Sequence, residues 1–214
     1  MRGGKLGCNV SPQTRALHAA AMPVAGGLAP AWSRIVETPR VLGQNDRVGD
    51  CVIVAGFNAV QTALARQGNF TKLPGDLAVR IYASLTGYVP GDESTDNGTD
   101  PEAFLAWWKV NPIGGHRLGK FTRLNPVDVD GIRTAVTGLG CYLCVDLSSA
   151  NEGQMVWTPD GVAGSWGGHA VWADEYEAAK IGVSSWGEGY GIGGAYFAAP
   201  GFVTAAFALE LEQA

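Results

Sequence analysis

The chain has 214 residues, a formal net charge of −5 and only 16% charged side chains. Its length suffices for one well-buried domain, or at most two small lobes that share a core. Lys and Arg form no large cluster, so we expect no nucleic-acid partner. No apolar run approaches the ~20 residues of a membrane span, so we expect no membrane association.

Residues 1–31 are rich in Ala, Gly and Pro without sustained periodicity, which predicts an extended arm before a domain at 32–214. Such an arm is ordered only when it lies on its own domain or on a neighbour. We therefore expect a homo-oligomer or a particle assembly through the arm, or a self-inhibited precursor if the arm fills a cleft. Because residues 17–29 make a poor secretion signal, the predicted location is cytoplasmic or virion-associated.

A buried helix is predicted to begin at Cys51. A polar loop leads to Asp50, a good N-cap, and the apolar residues of the following run to position 66 cover most of a helix circumference. At the first helical position, unpaired backbone N–H groups and the helix dipole favour a thiolate over a thiol. Cys51 is therefore a candidate nucleophile, although a buried cysteine is more often a small apolar core residue.

Further helices and then strands are predicted along the chain. The helices are residues 77–85, a segment opened by Asp100-Pro101, and 128–136, and the strands are 140–148, 169–176, 179–186 and 194–198. This segregation predicts an α+β fold with a helical lobe at about 40–115 and an antiparallel β lobe at about 116–205. A functional site would lie in the cleft between the two halves.

Two cysteines and one histidine of the β half need separate comment. Cys141 and Cys144 lie three apart in a predicted strand and so face opposite ways, which argues against a local disulfide or a shared metal. We interpret both as core residues and expect no metal or other cofactor. His169 begins a strand after Gly167-Gly168, so the backbone can present its ring at a strand edge. Alone, such a histidine is more often a surface or core residue.

Taken together and in order, these segments resemble the papain-like cysteine peptidases over most of residues 40–200. Gln44 stands upstream of Cys51 as the family's oxyanion glutamine stands before its nucleophile, and Gly49-Asp50-Cys51 is similar to the calpain-type loop. Asp96-Asn97-Gly98-Thr99 resembles the family's substrate-cleft loop, and Gly168-His169-Ala170-Val171 resembles its catalytic-histidine motif. Residues 183–191 are similar to the Asn-Ser-Trp-Gly segment, and residues 193–197 are similar to the closing Gly-Tyr strand.

The resemblance implies a papain-like fold and hydrolysis of a polypeptide substrate through an acyl-enzyme. Cys51 would attack the carbonyl, His169 would move the proton, and Gln44 with the Cys51 backbone N–H would hold the oxyanion. Trp186 would shield the histidine, and Ser184 occupies the position of the family's histidine-orienting asparagine. The residues expected to bind substrate are Asn97, Gly98, Thr99, Gly168 and Trp186.

Three departures from the family pattern keep other functions open. Ser184 is shorter than asparagine, Gln44 precedes Cys51 by seven positions rather than six, and Asp50 would raise the thiol pKa. The spacing needs a one-residue bulge or places Asn45 in the oxyanion role. The alternatives are a weak or inactive papain-fold structural or binding protein, such as a phage-particle decoration protein, and related thiol chemistry such as acyl transfer, amide hydrolysis or deubiquitinase-like cleavage.

Overall fold

A computed structural model describes residues 5–19, 21, 29–178, 180–187 and 190–214. Its helices are α1 (Pro12–Ala19), α2 (Cys51–Arg66), α3 (Gly75–Thr86), α4 (Pro101–Trp108), α5 (Val129–Gly138) and α6 (Gly194–Ala198), with short 3-10 turns at Glu93–Thr95 and Ser149–Asn151. Its strands are β1 (His116–Leu124), β2 (Cys141–Leu147), β3 (Val156–Trp157), β4 (Gly167–Tyr176), β5 (Lys180–Ser184), β6 (Tyr190–Gly193) and β7 (Val203–Gln213).

The seven strands form one sheet in the order β1-β7-β2-β4-β5-β6-β3. The pairs are antiparallel apart from the short parallel pair of β3 with β6. Helices dominate the first half of the chain and the sheet dominates the second, which confirms the predicted α+β class. Among the described residues, no helix combines the length and apolarity needed to cross a bilayer.

Helix α2 is the buried element that links the two halves. Every residue from Cys51 to Ala65 is buried, and the helix packs against β4, α3 and α4. A cross-link to the sheet fixes its position, because Trp172 Nε1 donates to Thr62 Oγ1 at 2.9 Å. At the other end of the helix, the Cys51 sulfur lies near the backbone of Ala170, which places Cys51 next to the strand that carries His169.

The predicted N-cap of α2 differs in detail. Asp50 occupies the capping position, but its side chain makes no capping hydrogen bond. Its Oδ2 atom instead accepts from the Gln44 backbone N–H at 3.1 Å. The carboxyl therefore closes the preceding loop rather than the first turn of the helix.

Two predictions of local structure are wrong. Residues 194–198, predicted as a strand, form the five-residue helix α6, which buries Tyr196 and Phe197. A segment this short cannot be assigned by periodicity alone. Residues 12–19, expected to be extended, form α1, whose His18 contacts the Leu124 carbonyl at 3.0 Å and packs edge-on against Phe207. The remainder of the predicted arm at 1–4, 20 and 22–28 lies outside the described residues.

Candidate active site

The thiol of Cys51 lies at the junction of helix α2 and strand β4. Its side chain is fully buried, and the backbone N–H groups of Ala170 and Gly7 lie near the sulfur and favour its ionised form. Ala170 directly follows His169 in β4, so the structure brings the candidate nucleophile to the strand position next to the candidate base. The Nδ1 atom of His169 is buried and has no hydrogen-bond partner within the described part of the chain.

The imidazole of His169 is held by a hydroxyl and by indole rings. Its Nε2 atom shares a hydrogen bond of 2.7 Å with Ser185 Oγ. Trp186 stacks on the ring with a centroid distance of 4.4 Å, and Trp157 meets it edge-on at 6.0 Å. These contacts fix the ring plane and leave Nδ1 as the nitrogen available for chemistry.

The hydroxyl on the imidazole belongs to Ser185, whereas the sequence assigned this contact to Ser184. Ser184 pairs with Trp172 in the sheet, and its buried Oγ has no hydrogen-bond partner among the described residues. Successive residues of a strand face opposite sides, and Ser184 is the last residue of β5. A displacement of one residue therefore changes which serine reaches the histidine.

The loop before Cys51 places its two amide side chains differently. Gln44, the predicted oxyanion residue, is exposed. Asn45 is only 1% exposed, and neither polar atom of its side chain has a hydrogen-bond partner in the described ranges. Its backbone carbonyl accepts from Trp186 Nε1 at 2.9 Å and from the Lys5 N–H at 3.1 Å. Asn45, not Gln44, thus lies inside the site.

The cleft between the two halves contains residues 5–10, which we call the N-terminal segment. Its backbone pairs with the cleft loop, since Thr99 N–H donates to Gly7 at 2.9 Å and the segment's Asn9 N–H donates to Thr99 at 3.0 Å. It also pairs with β4, since Cys8 N–H donates to Gly168 at 3.0 Å. Of the positions expected for the arm, residues 5–10 thus take the one within the chain's own cleft.

Glycines allow the segment to lie this deep. A Cβ atom on Gly7 would lie 2.2 Å from the Gly49 carbonyl oxygen, and a Cβ on Gly98 would lie 2.2 Å from the Gly7 carbonyl oxygen. On Gly168 it would lie 2.0 Å from the Cys8 carbonyl oxygen. Backbone thus packs directly on backbone at each wall of the cleft.

The predicted substrate-binding residues surround this segment. Asn97 accepts from the side-chain amide of Asn9 through its carbonyl, and Gly98, Thr99 and Gly168 make the contacts given above. Trp186 packs in the same apolar cluster as Leu6. The structure therefore brings these five residues together, with the chain's own N-terminal segment between them.

No protein-family model matches the chain, and no curated protein matches it in sequence. Solved structures do match. Xylellain, a cysteine protease from Xylella fastidiosa, aligns with a TM-score of 0.62 at 14% identity over 96% of this chain and 91% of its own. The fold is papain-like. A procathepsin B from Trypanosoma congolense gives a TM-score of 0.64 at 11% identity, covering 97% of this chain and 87% of that one.

A third papain-like structure, the ragweed pollen allergen Amb a 11 cysteine protease in its proform, aligns with a TM-score of 0.60 at 16% identity. The alignment covers 98% of this chain but 64% of the ragweed chain, so this protein spans about two thirds of that relative's length. These structural alignments establish the shared fold alone, because the identities are low. The site residues have to be argued from their own geometry.

Burial keeps both members of the candidate dyad neutral in this state. Desolvation raises the pKa of the Cys51 thiol well above its ordinary value, and the nearby Cys8 and Asp50 add to the rise. The two backbone N–H donors to the sulfur act in the opposite direction. Desolvation lowers the pKa of His169 to about 3. A thiol and a neutral imidazole are the expected species, rather than a thiolate–imidazolium pair.

A further buried carboxylate of the papain-like cleft belongs to Asp96, in the loop at residues 96–99, for which the sequence predicted no role. Asp96 accepts from the Gly49 N–H at 3.1 Å through both oxygens and from Tyr82 Oη at 2.6 Å. Its Oδ2 atom lies 3.3 Å from Nζ of Lys5 in the N-terminal segment. Only the three-dimensional structure shows that this acidic residue faces the cleft.

Proposed function

We propose that this chain is a papain-like cysteine peptidase whose N-terminal segment holds it in a latent form. Cys51 is the nucleophile and His169 the acid–base group. The observation that carries the proposal is that the Cys51 sulfur lies near the backbone of Ala170, which directly follows a histidine whose Nδ1 has no hydrogen-bond partner among the described residues. The papain-like fold shared with cysteine proteases supports the same assignment.

The chemistry requires the N-terminal segment to leave the cleft. The Cys51 thiol then transfers its proton to Nδ1 of His169, and the sulfur attacks the peptide carbonyl carbon. His169 returns the proton to the departing amine, and the acyl-enzyme is hydrolysed by a water that His169 activates. Ser185 positions the ring through its bond to Nε2, and Trp186 shields that bond from water.

The negative charge that develops on the carbonyl oxygen needs two donors. The backbone N–H of Cys51 lies at the start of α2 and has no partner within the helix. We assign the second donor to the side-chain amide of Asn45, because it is buried beside Trp186 and has no hydrogen-bond partner in the part of the chain that the structure describes. Loss of one such donor typically lowers the rate by ~100-fold or more.

The bound N-terminal segment occupies the place that a substrate needs. The backbone N–H of Gly7 lies near the Cys51 sulfur and favours its ionised form. The Gly7 carbonyl accepts a hydrogen bond from the Thr99 N–H. The segment therefore blocks the approach of a substrate to the nucleophile. The ragweed and trypanosome structures are those of a proform and a procathepsin, which agrees with a latent state.

The test compares the whole chain with a version that lacks residues 1–10. A thiol-directed epoxide should label Cys51 in the shortened protein, and labelling should be lost in Cys51→Ala and reduced in His169→Ala. The shortened protein should also hydrolyse a fluorogenic casein substrate. A shortened protein that is folded by circular dichroism but neither labelled nor active would contradict the peptidase. That result would favour the alternative of a structural or binding module.

A further inference from the structure

We propose that Asp96 makes the cleft selective for peptides that carry a lysine or arginine side chain. The carboxylate of Asp96 receives the cationic group of the peptide. This inference rests on the proposed peptidase function and deepens it, because it names the chemical class of the substrate. The observation behind it is the contact of Asp96 with Lys5 in the segment that now fills the cleft.

Asp96 is held rigidly before any substrate arrives. The two hydrogen bonds from the Gly49 N–H and the bond from Tyr82 fix the carboxylate plane, and its side chain is 2% exposed. Burial and the bond to Asp96 both raise the pKa of Tyr82, so the phenol stays a donor. Lys5, by contrast, is 35% exposed and reaches the carboxylate from the open side of the cleft. A different chain could supply that cation.

The surroundings of Asp96 leave its charge uncompensated once the segment departs. Gly49 and Tyr82 are neutral donors; among the described residues the cation paired with Asp96 is Lys5, whereas Arg47 pairs with Asp46. Asp46 and Asp96 both contribute to raising the pKa of Asp50, which places the three carboxyl groups within electrostatic reach of one another. A peptide with a neutral side chain here would cover a carboxylate that has no cation. A basic side chain avoids that desolvation penalty.

The position of the selected side chain follows from the segment. The backbone of Gly7 lies near the Cys51 sulfur, and Lys5 comes two residues before Gly7 in the chain. Each extended residue spans about 3.3 Å, so the basic side chain of a substrate enters within two or three residues of the bond that is cleaved. The same contact makes Lys5 an internal competitor for basic substrates.

The experiment uses full-length Gly7→Ala, in which the added methyl group displaces the segment from the cleft. The probes are fluorescein-labelled Lys-Leu-Gly-Ser-Asn-Val, which copies the segment with serine in place of cysteine, and its Met-Leu-Gly-Ser-Asn-Val partner. Fluorescence polarisation should show that the lysine peptide binds about tenfold more tightly. Asp96→Asn, which keeps one acceptor oxygen for Gly49 and Tyr82, should abolish the difference. Glu93→Gln, an exposed acid in the same loop, should retain it.

Hydrolysis of a positional peptide library by the same proteins separates this inference from the peptidase proposal. Cleavage with a preference for Lys or Arg near the cleaved bond, lost in Asp96→Asn, supports both. Cleavage without that preference overturns the role of Asp96 and leaves the peptidase intact. Preferential binding of the lysine peptide without any cleavage supports Asp96 as a receptor for basic peptides and overturns the peptidase.

Discussion

Substitution of Gly7 by alanine adds a single methyl group and should open the cleft. The Cβ atom would lie 2.2 Å from the carbonyl oxygen and 2.5 Å from the Cα of Gly49. Both contacts are with backbone, so no side-chain rotation relieves them. Because Gly49 is fixed by Asp96 and leads directly into α2, the N-terminal segment is the part that moves.

The expected magnitude follows from what holds the segment. Four backbone hydrogen bonds join it to the cleft, donated by Lys5, Cys8, Asn9 and the cleft residue Thr99. At about 1 kcal/mol each they stabilise the closed state by about 4 kcal/mol. A free energy of that size corresponds to about one open molecule in a thousand. Loss of the closed position should therefore raise the accessibility of the Cys51 thiol by up to about 1000-fold.

The assay is the labelling rate of each cysteine by iodoacetamide, read by peptide mass spectrometry. In Gly7→Ala, labelling should rise at Cys51 and also at Cys8, which leaves the core with the segment. Cys141 is free and fully buried and should stay unlabelled, which reports that the domain is folded.

Gly138→Ala is the matched control, since a methyl group there meets no atom within 4 Å. It should leave every labelling rate unchanged. The reasoning is refuted if Gly7→Ala is folded and labels Cys51 no faster than the parent chain.

Two pairs of substitutions test the site in the Gly7→Ala background, and one substitution at Asp50 tests the closed parent chain. Ser185→Ala should lower kcat at least tenfold by freeing the imidazole. Ser184→Ala, which removes a buried hydroxyl that has no partner among the described residues, should leave kcat and stability within about twofold and 0.5 kcal/mol. Asn45→Ala should lower kcat by ~100-fold with little change in KM, and Gln44→Ala should not. For Asp50, whose pKa is raised to about 7, the native state binds the proton more tightly than the unfolded chain. Its contribution to stability therefore falls as pH rises from about 4 to 7, by up to about 4 kcal/mol. Urea unfolding at pH 5 and pH 8 should show that fall relative to Asp50→Asn, and an equal pH dependence in both proteins would contradict it.

The central helix and the strand of the histidine were predictable because their signals are local. In residues 51–66, apolar side chains follow a capping position and cover most of the helix circumference, which predicts α2. Two glycines before a run of β-forming residues predict β4. Their relation in space was inferred from the order of motifs that resemble a known family. The buried, free state of Cys141 and Cys144 also followed from local pattern, and the two lie in separate core clusters on opposite faces of the strand.

The contacts that hold residues 5–10 in the cleft were not predictable, because they depend on pairs of residues that are distant in the sequence. The lack of a side chain at Gly7 matters because Gly7 packs against Gly49 and Gly98, and an Ala/Gly/Pro-rich composition does not indicate those partners. The choice between neighbouring residues failed for a related reason. Whether position 44 or 45 turns inward is decided by how one loop meets Trp186, which sequence spacing cannot resolve.

The N-terminal segment inhibits the proposed enzyme electrostatically as well as sterically. It excludes water from the cleft, and desolvation is the largest cause of both the raised pKa of Cys51 and the lowered pKa of His169. These shifts oppose formation of the thiolate–imidazolium pair, so a closed molecule is unreactive even toward a reagent small enough to reach the sulfur. Departure of the segment uncovers the Cys51 sulfur, beside which Gly7 lies, and should move the pKa of that thiol back toward its ordinary range. Opening of the cleft therefore also makes the Cys51 thiol easier to ionise.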